Sequence, residues 1–476
     1  MFDKRYENLN DGQKTAVDTI DGPLMVVAGP GTGKTELLSM RSANILKQTD
    51  TLAQNILCLT FTESGAQAMR ERLKTIIGVD AYKVAIHTFH SFGSEIISRY
   101  GDYFYSNAHF QPASDVNVYE LLRDIFDNLD HKNPLASTMN GEYTHLKDAI
   151  QTISELKKSG LTSDELLMVI DDNERVLDAS ERQLAELFSS RISKETTAGL
   201  STISLSVASL EHGPLPPSVP SLVDTLSLSI AHAVDSAKND NSTKPITAWK
   251  NQWLEKDSRG AFVFKDRKRI KKLRSISHIY YQYLVRMQEK ELYDFDDMVL
   301  RVVHALEVFD DLRLNLQEQY TYIMVDEFQD TNLAQSRLLR SLANNPVHEG
   351  APNIMVVGDD DQAVYSFQGA EISNILQFRD LYETTKLVVL KENYRSSKEI
   401  LSAARKVISL GSERLERYIP ELDKSLDANY SPAKTNVDLK EAETIADERA
   451  WIAASIADKI KNGAQPDSIA VLCRRH

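Results

Sequence analysis

Cysteine is scarce in this sequence: Cys58 and Cys473 are the two present in 476 residues. That excludes a disulfide framework and a four-cysteine zinc site, and fits a reducing cytosol. Long hydrophobic runs are also lacking. No window approaches the ~18 uninterrupted apolar residues of a membrane span, and the opening MFDKRYENLND is too polar for a secretory signal. A soluble, cytoplasmic protein with no membrane partner is expected. Positive charge falls short as well, with 55 Lys and Arg against 69 Asp and Glu and a net charge of -14. This argues against wholesale electrostatic coating of nucleic acid, and leaves a locally basic channel open.

What is present is an ordinary globular composition, 42% hydrophobic and 26% charged. The length exceeds the roughly 250–300 residues at which one core stops growing, so two or more domains are expected. Six short apolar runs lack period-2 alternation: PLMVVAG (23–29), NILCLTF (55–61), YIMVDEF (322–328), NIMVVGD (353–359), KLVVL (386–390) and IAVLC (469–473). Such runs suit strands of a parallel sheet covered by helices on both faces, and helical patterns follow most of them, so the fold class is α/β. The stretch 105–290 instead carries apolar residues three or four apart, as in HLKDAIQTISELKKSG, and reads as a helical insertion. Within it, Thr196 to Lys244, with GPLPPSVPS, reads as a long loop or loosely joined helices. The basic run KDRKRIKKLR (265–274) is a candidate for phosphate contact, set against a solvated helix face.

The run 23–29 leads into a phosphate cradle. Small residues let successive backbone N–H groups turn inward, a helix start adds positive potential, and a lysine and a hydroxyl follow. Ala28, Gly29, Pro30, Gly31, Thr32, Gly33, Lys34 and Thr35 supply this series, with Ala28 where the first glycine usually stands. Lys34 is expected on the β/γ phosphates of ATP and Thr35 on Mg2+. The run 322–328 ends in Asp326 and Glu327, which puts one carboxylate at the metal and the next within reach of an attacking water.

In order, LNDGQKTAV, AGPGTGKT, LTFTESGAQAMRERL, TFHSFG, YDFDDM, VDEFQDTN, VVGDDDQAVYSFQGA, ENYRSS and IAVLCRR resemble the superfamily 1 helicases of the UvrD/Rep/PcrA type. The resemblance implies a RecA-like P-loop sheet, divided into 1–104 and 291–385 around the insertion 105–290, with the start of a second RecA-like domain at 386–476. It implies that Gln13 reads the adenine edge, that Gln362 senses the γ-phosphate, that Arg395 reaches that phosphate from the second motor domain, and that Tyr394 stacks on adenine. Lys34, Glu327, Gln362 and Arg395 are then the catalytic set, and Thr35, Asp326 and Glu327 the metal set. Phe61, Thr62, Thr88, Phe89, His90, Ser91, Tyr365 and Phe367 match positions lining a single-strand DNA track, where aromatics stack on any base and hydroxyls reach phosphates.

Two departures stand out: Glu36 follows the threonine where the family often has arginine, and Gln368 stands in YSFQGA where it usually has arginine. Family members also continue with a further inserted domain and two more motifs, so a truncated chain is expected. The resemblance implies an ATP-dependent helicase moving 3′ to 5′ on single-stranded DNA and acting at single/double-strand junctions in repair, replication restart or recombination. Two alternatives remain: an ATP-gated DNA-binding switch that does not translocate, and the motor part of a nuclease-fused recombination helicase.

Overall fold

The computed structural model describes residues 1–104, 110–216, 219–363, 372–411, 414–419, 422–430 and 437–473. Its centre is a six-stranded sheet of β1 (Leu24–Ala28), β2 (Ile56–Thr60), β3 (Ala85–Thr88), β4 (Tyr322–Val325), β5 (Ile354–Gly358) and β6 (Lys386–Leu390), in the spatial order β6-β1-β5-β4-β2-β3. Every pairing is parallel. The expected α/β sheet is therefore what the structure shows. Successive residues of a strand serve opposite cores, because side chains alternate across the sheet. Met25 and Val27 join a core with the helices Phe89–Arg99, Asp297–Val308 and Leu333–Ala343, while Leu24, Val26 and Ala28 join one with Asp11–Asp18, Lys34–Gln48 and Glu63–Ile77.

Two strand expectations need correction. The run 469–473 is not a strand: Val471 and Leu472 are exposed, and no strand pairs with it among the described residues, so its backbone gains no ladder. β3 was not read as a strand, because its residues Ala85–Thr88 alternate buried with half-buried and include two polar side chains at the sheet edge.

The insertion leaves and rejoins the sheet unit through a short parallel pair, Gln111–Pro112 with Leu292–Tyr293. Between them lie two helical cores. Leu121, Phe126, Ile153 and Tyr283 belong to one, and Leu177, Leu200, Ile230 and Trp249 to the other. The helix Asp266–Glu289 runs through both, contributing Ile270 to the second and Ile276 to the first. The segment expected as a loop or loose helices holds two packed helices, Lys194–Ala208 and Leu222–Asn239. Leu200, Ile203 and Val207 meet Val223, Leu226, Ile230 and Val234, and the Ser204 hydroxyl donates to the Ser227 carbonyl at 2.9 Å. Serines diluted the apolar period without breaking it. Three of the seven cations of the basic run pair with acids within the insertion: Arg267 holds Asp178 and Glu181, Arg274 holds Asp171 and Glu174, and Lys268 holds Glu255.

The chain divides into two units, one of Met1–Lys391 with Glu413–Lys424 and one of Glu392–Ser412 with Ser425–His476. β6, which the sequence reading put at the start of the second domain, pairs with β1 in this sheet, where Val388 and Leu390 are buried. The second unit contains the helices Lys398–Ile408 and Ile445–Lys461 and a parallel pair of Glu392–Asn393 with Asp427–Ala428. Neither helix carries a fully buried residue.

The packed helix pair predicts unequal effects of two neighbouring substitutions. Ile230→Ala should destabilise the chain by about 2–5 kcal/mol, whereas Leu228→Ala, at an exposed position of the same helix, should stay within about 0.5 kcal/mol. Urea unfolding followed by circular dichroism measures both; equal, negligible effects would restore the loop reading.

Candidate nucleotide and nucleic-acid site

Parallel pairing of β1, β5 and β4 brings three strand ends to one edge of the sheet, the position at which open α/β sheets bind ligands. From β1 the chain turns through residues 29–33 into the helix Lys34–Gln48. Gly33 has φ +88°, and a Cβ there would lie 2.9 Å from Nε2 of Gln13, so both conformation and space demand glycine. Thr32 is buried and its hydroxyl donates to the Gly29 carbonyl at 2.7 Å, closing the loop on itself. Gln13 is buried behind the loop: its amide nitrogen donates to the Thr32 carbonyl at 2.9 Å, and its oxygen accepts from Asn10 N at 3.2 Å. Here Gln13 braces the phosphate loop, which is the contact the structure gives for a residue expected at adenine. Arg41, itself buried, donates to the carbonyls of Ala16, Thr19 and Ile20 and fixes the end of the Gln13 helix.

Across the edge, β4 delivers Asp326 and Glu327. Lys34 Nζ lies 2.5 Å from Glu327 Oε2, in an ion pair that is mostly shielded on the lysine side. Glu327 adopts φ +49°, a left-handed backbone uncommon for a side chain of this kind. Asp326 is partly buried; its Oδ1 accepts from Glu327 N at 3.0 Å. Burial, then the adjacent Glu327 charge, pushes its pKa up to about 6 against the pull of Lys34. Asp330 is likewise raised to about 6 by burial and Glu327. Gln329 joins this edge together: Nε2 donates to Glu327 Oε2 at 2.8 Å, while Oε1 accepts from Asp359 N at 2.9 Å. Gln362, on the turn after β5, donates to Asp359 Oδ2 at 2.8 Å. The structure thus gathers Gln13, the phosphate loop, Lys34, Asp326, Glu327 and Gln362 along one edge. Thr35 follows Lys34 on the first turn of its helix.

Tyr394 and Arg395 belong to the second unit. There the Asn393 side chain accepts from the backbone N of Arg395 and Ser396, at 2.9 and 2.7 Å, and the Tyr394 hydroxyl donates to Glu392 at 2.7 Å. Glu36, the departure after the threonine, has local partners in Arg5 and Arg72 at 3.0 and 3.2 Å. Tyr365, Phe367 and Gln368 lie outside the described residues.

A second feature, a cleft of about 350 Å³, is lined by Phe61, Phe89, His90, Lys158, Phe295, Asp296, Asp330, Asn332 and Gln335. The His90 ring stacks on Phe295 with centroids 3.8 Å apart and planes 22° from parallel. Burial, then Lys158, lowers the His90 pKa to about 4, so the ring is neutral at physiological pH. Phe295 is 62% exposed. Its neighbours hold it there: fully buried Lys157 pairs with Asp294 at 2.5 Å and Asp297 at 2.6 Å, and Tyr283 donates to Asp294 at 2.7 Å. Asp294 and Asp297, on either side of Phe295 in YDFDDM, therefore turn inward and leave the ring outward. Of the other expected track residues, Phe89 is 2% exposed and packs mainly in the core. Thr88 and Ser91 spend their hydroxyls on each other in a capping box, with Thr88 also donating to Glu63 at 2.8 Å. Thr62 caps the helix Glu63–Ile77. Their hydroxyls serve helix starts, a role as ordinary as the expected one.

Comparison with known sequences now adds the deciding observation. The family description "UvrD/REP helicase N-terminal domain" matches residues 9–383, and "UvrD-like helicase C-terminal domain" matches residues 388–476. The chain belongs to the UvrD/REP helicase family. Among relatives, the ATP-dependent DNA helicase PcrA of Staphylococcus epidermidis (strain ATCC 35984) is 25% identical over 470 residues, 98% of this chain and 48% of that protein. The PcrA of Staphylococcus aureus (strain Mu50) is 25% identical over 469 residues, again 98% and 48%. The chain spans about half the length of the curated relatives it matches. In this UvrD/REP chain the sequence reading assigned no role to Phe295, Gln329 or Lys157. For Phe295 a signal existed, an aromatic set between acids in YDFDDM; Gln329 and Lys157 are recognisable only from their contacts.

The Asp326 environment gives a pH prediction. Its carboxyl is harder to ionise folded than unfolded, so its charge costs stability above about pH 6, and the cost vanishes as pH falls through the ordinary carboxylate range. In EDTA, Asp326→Asn should raise the melting temperature at pH 7.5, equivalent to on the order of 2–3 kcal/mol. The gain should fade towards pH 4; a gain independent of pH would assign it to something other than ionisation.

Proposed function

We propose that this chain is the ATP-binding part of an ATP-dependent DNA helicase or translocase, moving 3′ to 5′ on single-stranded DNA and acting at single/double-strand junctions in repair or recombination within the cytoplasm. The observation that carries the reading is the linked edge from Lys34 through Glu327 and Gln329 to Asp359 and Gln362, beside a cleft in which half-buried His90 stacks on the outward Phe295. No helix among the described residues is long and apolar enough to cross a membrane.

Lys34 has two alternative anionic partners, Glu327 and a nucleotide phosphate. When the ammonium turns to phosphate, the Glu327 carboxylate is released to take a proton from the attacking water. The donors at the end of β4 fit magnesium: they are oxygens only, and the crowding that raises Asp326 to about 6 is what a cation would relieve. Asp326, Thr35 and Glu327 would hold the ion, which supplies charge neutralisation on the phosphate oxygens. Gln362 senses the γ-phosphate, and the resemblance alone assigns Arg395 to that phosphate and Tyr394 to adenine. On the nucleic-acid side, Phe295 and His90 offer a stacking face that accepts any base, with Phe61 at the cleft wall; Tyr365 and Phe367 belong to the proposed track by resemblance alone.

Steady-state ATP hydrolysis with and without single-stranded DNA tests this. Stimulation by DNA is expected, and Glu327→Gln should lower turnover by about 10²–10⁴-fold while nucleotide still binds. Nucleotide binding with DNA affinity but no stimulated turnover would favour the switch. For the cleft, Phe295→Ala should weaken single-strand binding by about 1–3 kcal/mol with an unchanged salt slope, measured by fluorescence anisotropy; unchanged affinity would remove Phe295 from the track.

A further inference from the structure

The turn that carries Gln362 is held by cations from far along the chain. Asp359, Asp360 and Asp361 follow β5 directly, and their side chains are 4%, 1% and 16% exposed. Three carboxylates so close and so dry repel one another unless cations are built in. Lys424 Nζ lies 3.2 Å from Asp359, 2.6 Å from Asp360 and 2.8 Å from Asp361. Arg414 grips Asp361 with both arms, Nε and Nη2, at 2.8 and 2.9 Å. The backbone N of Leu415 donates to Asp360 Oδ2 at 2.8 Å, and Glu416 accepts from Lys424 N at 3.1 Å. Leu415, Ile419 and Leu422 are buried in the sheet core. Residues 414–419 and 422–424 therefore form a strap on the first unit, although the chain on both sides of it belongs to the second.

The strap meets the candidate site at Asp359. Its Oδ1 takes Lys424, its Oδ2 takes Gln362, and its backbone N donates to Gln329, which in turn donates to Glu327, the partner of Lys34. Neither Lys424 nor Arg414 touches any residue of the phosphate loop in this network. We infer that Lys424 and Arg414 are positioning residues: by clamping the 359–361 turn they hold Gln362 and Gln329 in register with Glu327, and so set the rate of nucleoside triphosphate turnover. The rate part rests on the function proposed above; the clamp itself does not.

Lys424→Met is compared with Leu422→Ala, which loosens the strap's apolar anchor and leaves every charge in place. Amide hydrogen exchange of a peptide covering 354–363 reads the clamp directly. Faster exchange is expected in Lys424→Met, well beyond that in Leu422→Ala at matched melting temperature. DNA-stimulated ATP hydrolysis should show kcat down at least 10-fold in Lys424→Met with nucleotide affinity within about 3-fold, and Arg414→Lys should lie between that variant and wild type. Exchange unchanged in a folded Lys424→Met, or kcat unchanged despite faster exchange, would overturn the inference. If wild type itself shows no hydrolysis while exchange responds as expected, the clamp stands and the helicase reading is what fails.

Discussion

Parallel pairing of β1, β5 and β4 is the constraint on which the site depends. Because these strands run the same way, the phosphate loop, the Asp326–Glu327 pair and the Gln362 turn must all emerge on one edge. Distance along the chain between Lys34 and Glu327, nearly three hundred residues, is cancelled by the pairing of β1 and β4 to the two sides of β5. The backbone of Glu327, held left-handed at the end of β4, aims its carboxylate across that edge.

Three lysines then organise the buried charge, each by a different logic. Lys34 balances one carboxylate, that of Glu327. Lys157 ties the insertion to Asp294 and Asp297, and through them fixes the direction of Phe295. Lys424 neutralises an acidic turn beside the sheet. Taking such ions out of water is costly, and removing one partner leaves an uncompensated charge inside, typically at ~3–5 kcal/mol. The pairs therefore define geometry more than they add stability.

Much of this was legible in sequence where the signal is local. Five apolar runs became five strands, and the glycine-rich turn and the paired carboxylates follow two of them. Elsewhere tertiary context decided. IAVLC has the composition of a strand but no neighbour among the described residues, while AIHT at the sheet edge is a strand without a strong apolar signature. The serine-rich helices left loop and loosely joined helices undecided because their buried stripe is narrow. Phe89 looked like a base platform and is core, and Phe295 is exposed only because its flanking acids face inward. Lys424 has no sequence motif that announces it; its meaning comes entirely from the three carboxylates it meets.

The strap also bears on how the molecule could be taken apart. Since the chain passes from one unit to the other, returns for residues 413–424 and leaves again, the two are not successive beads that a single scission frees. A piece ending at Lys391 would retain the whole six-stranded sheet, yet it would expose the apolar seat of Leu415, Ile419 and Leu422 and strand three acids without their counter-ions. Modularity in this protein is thus a property of space rather than of sequence, and evolutionary exchange of the second unit would have to carry the strap along or invent a substitute for it.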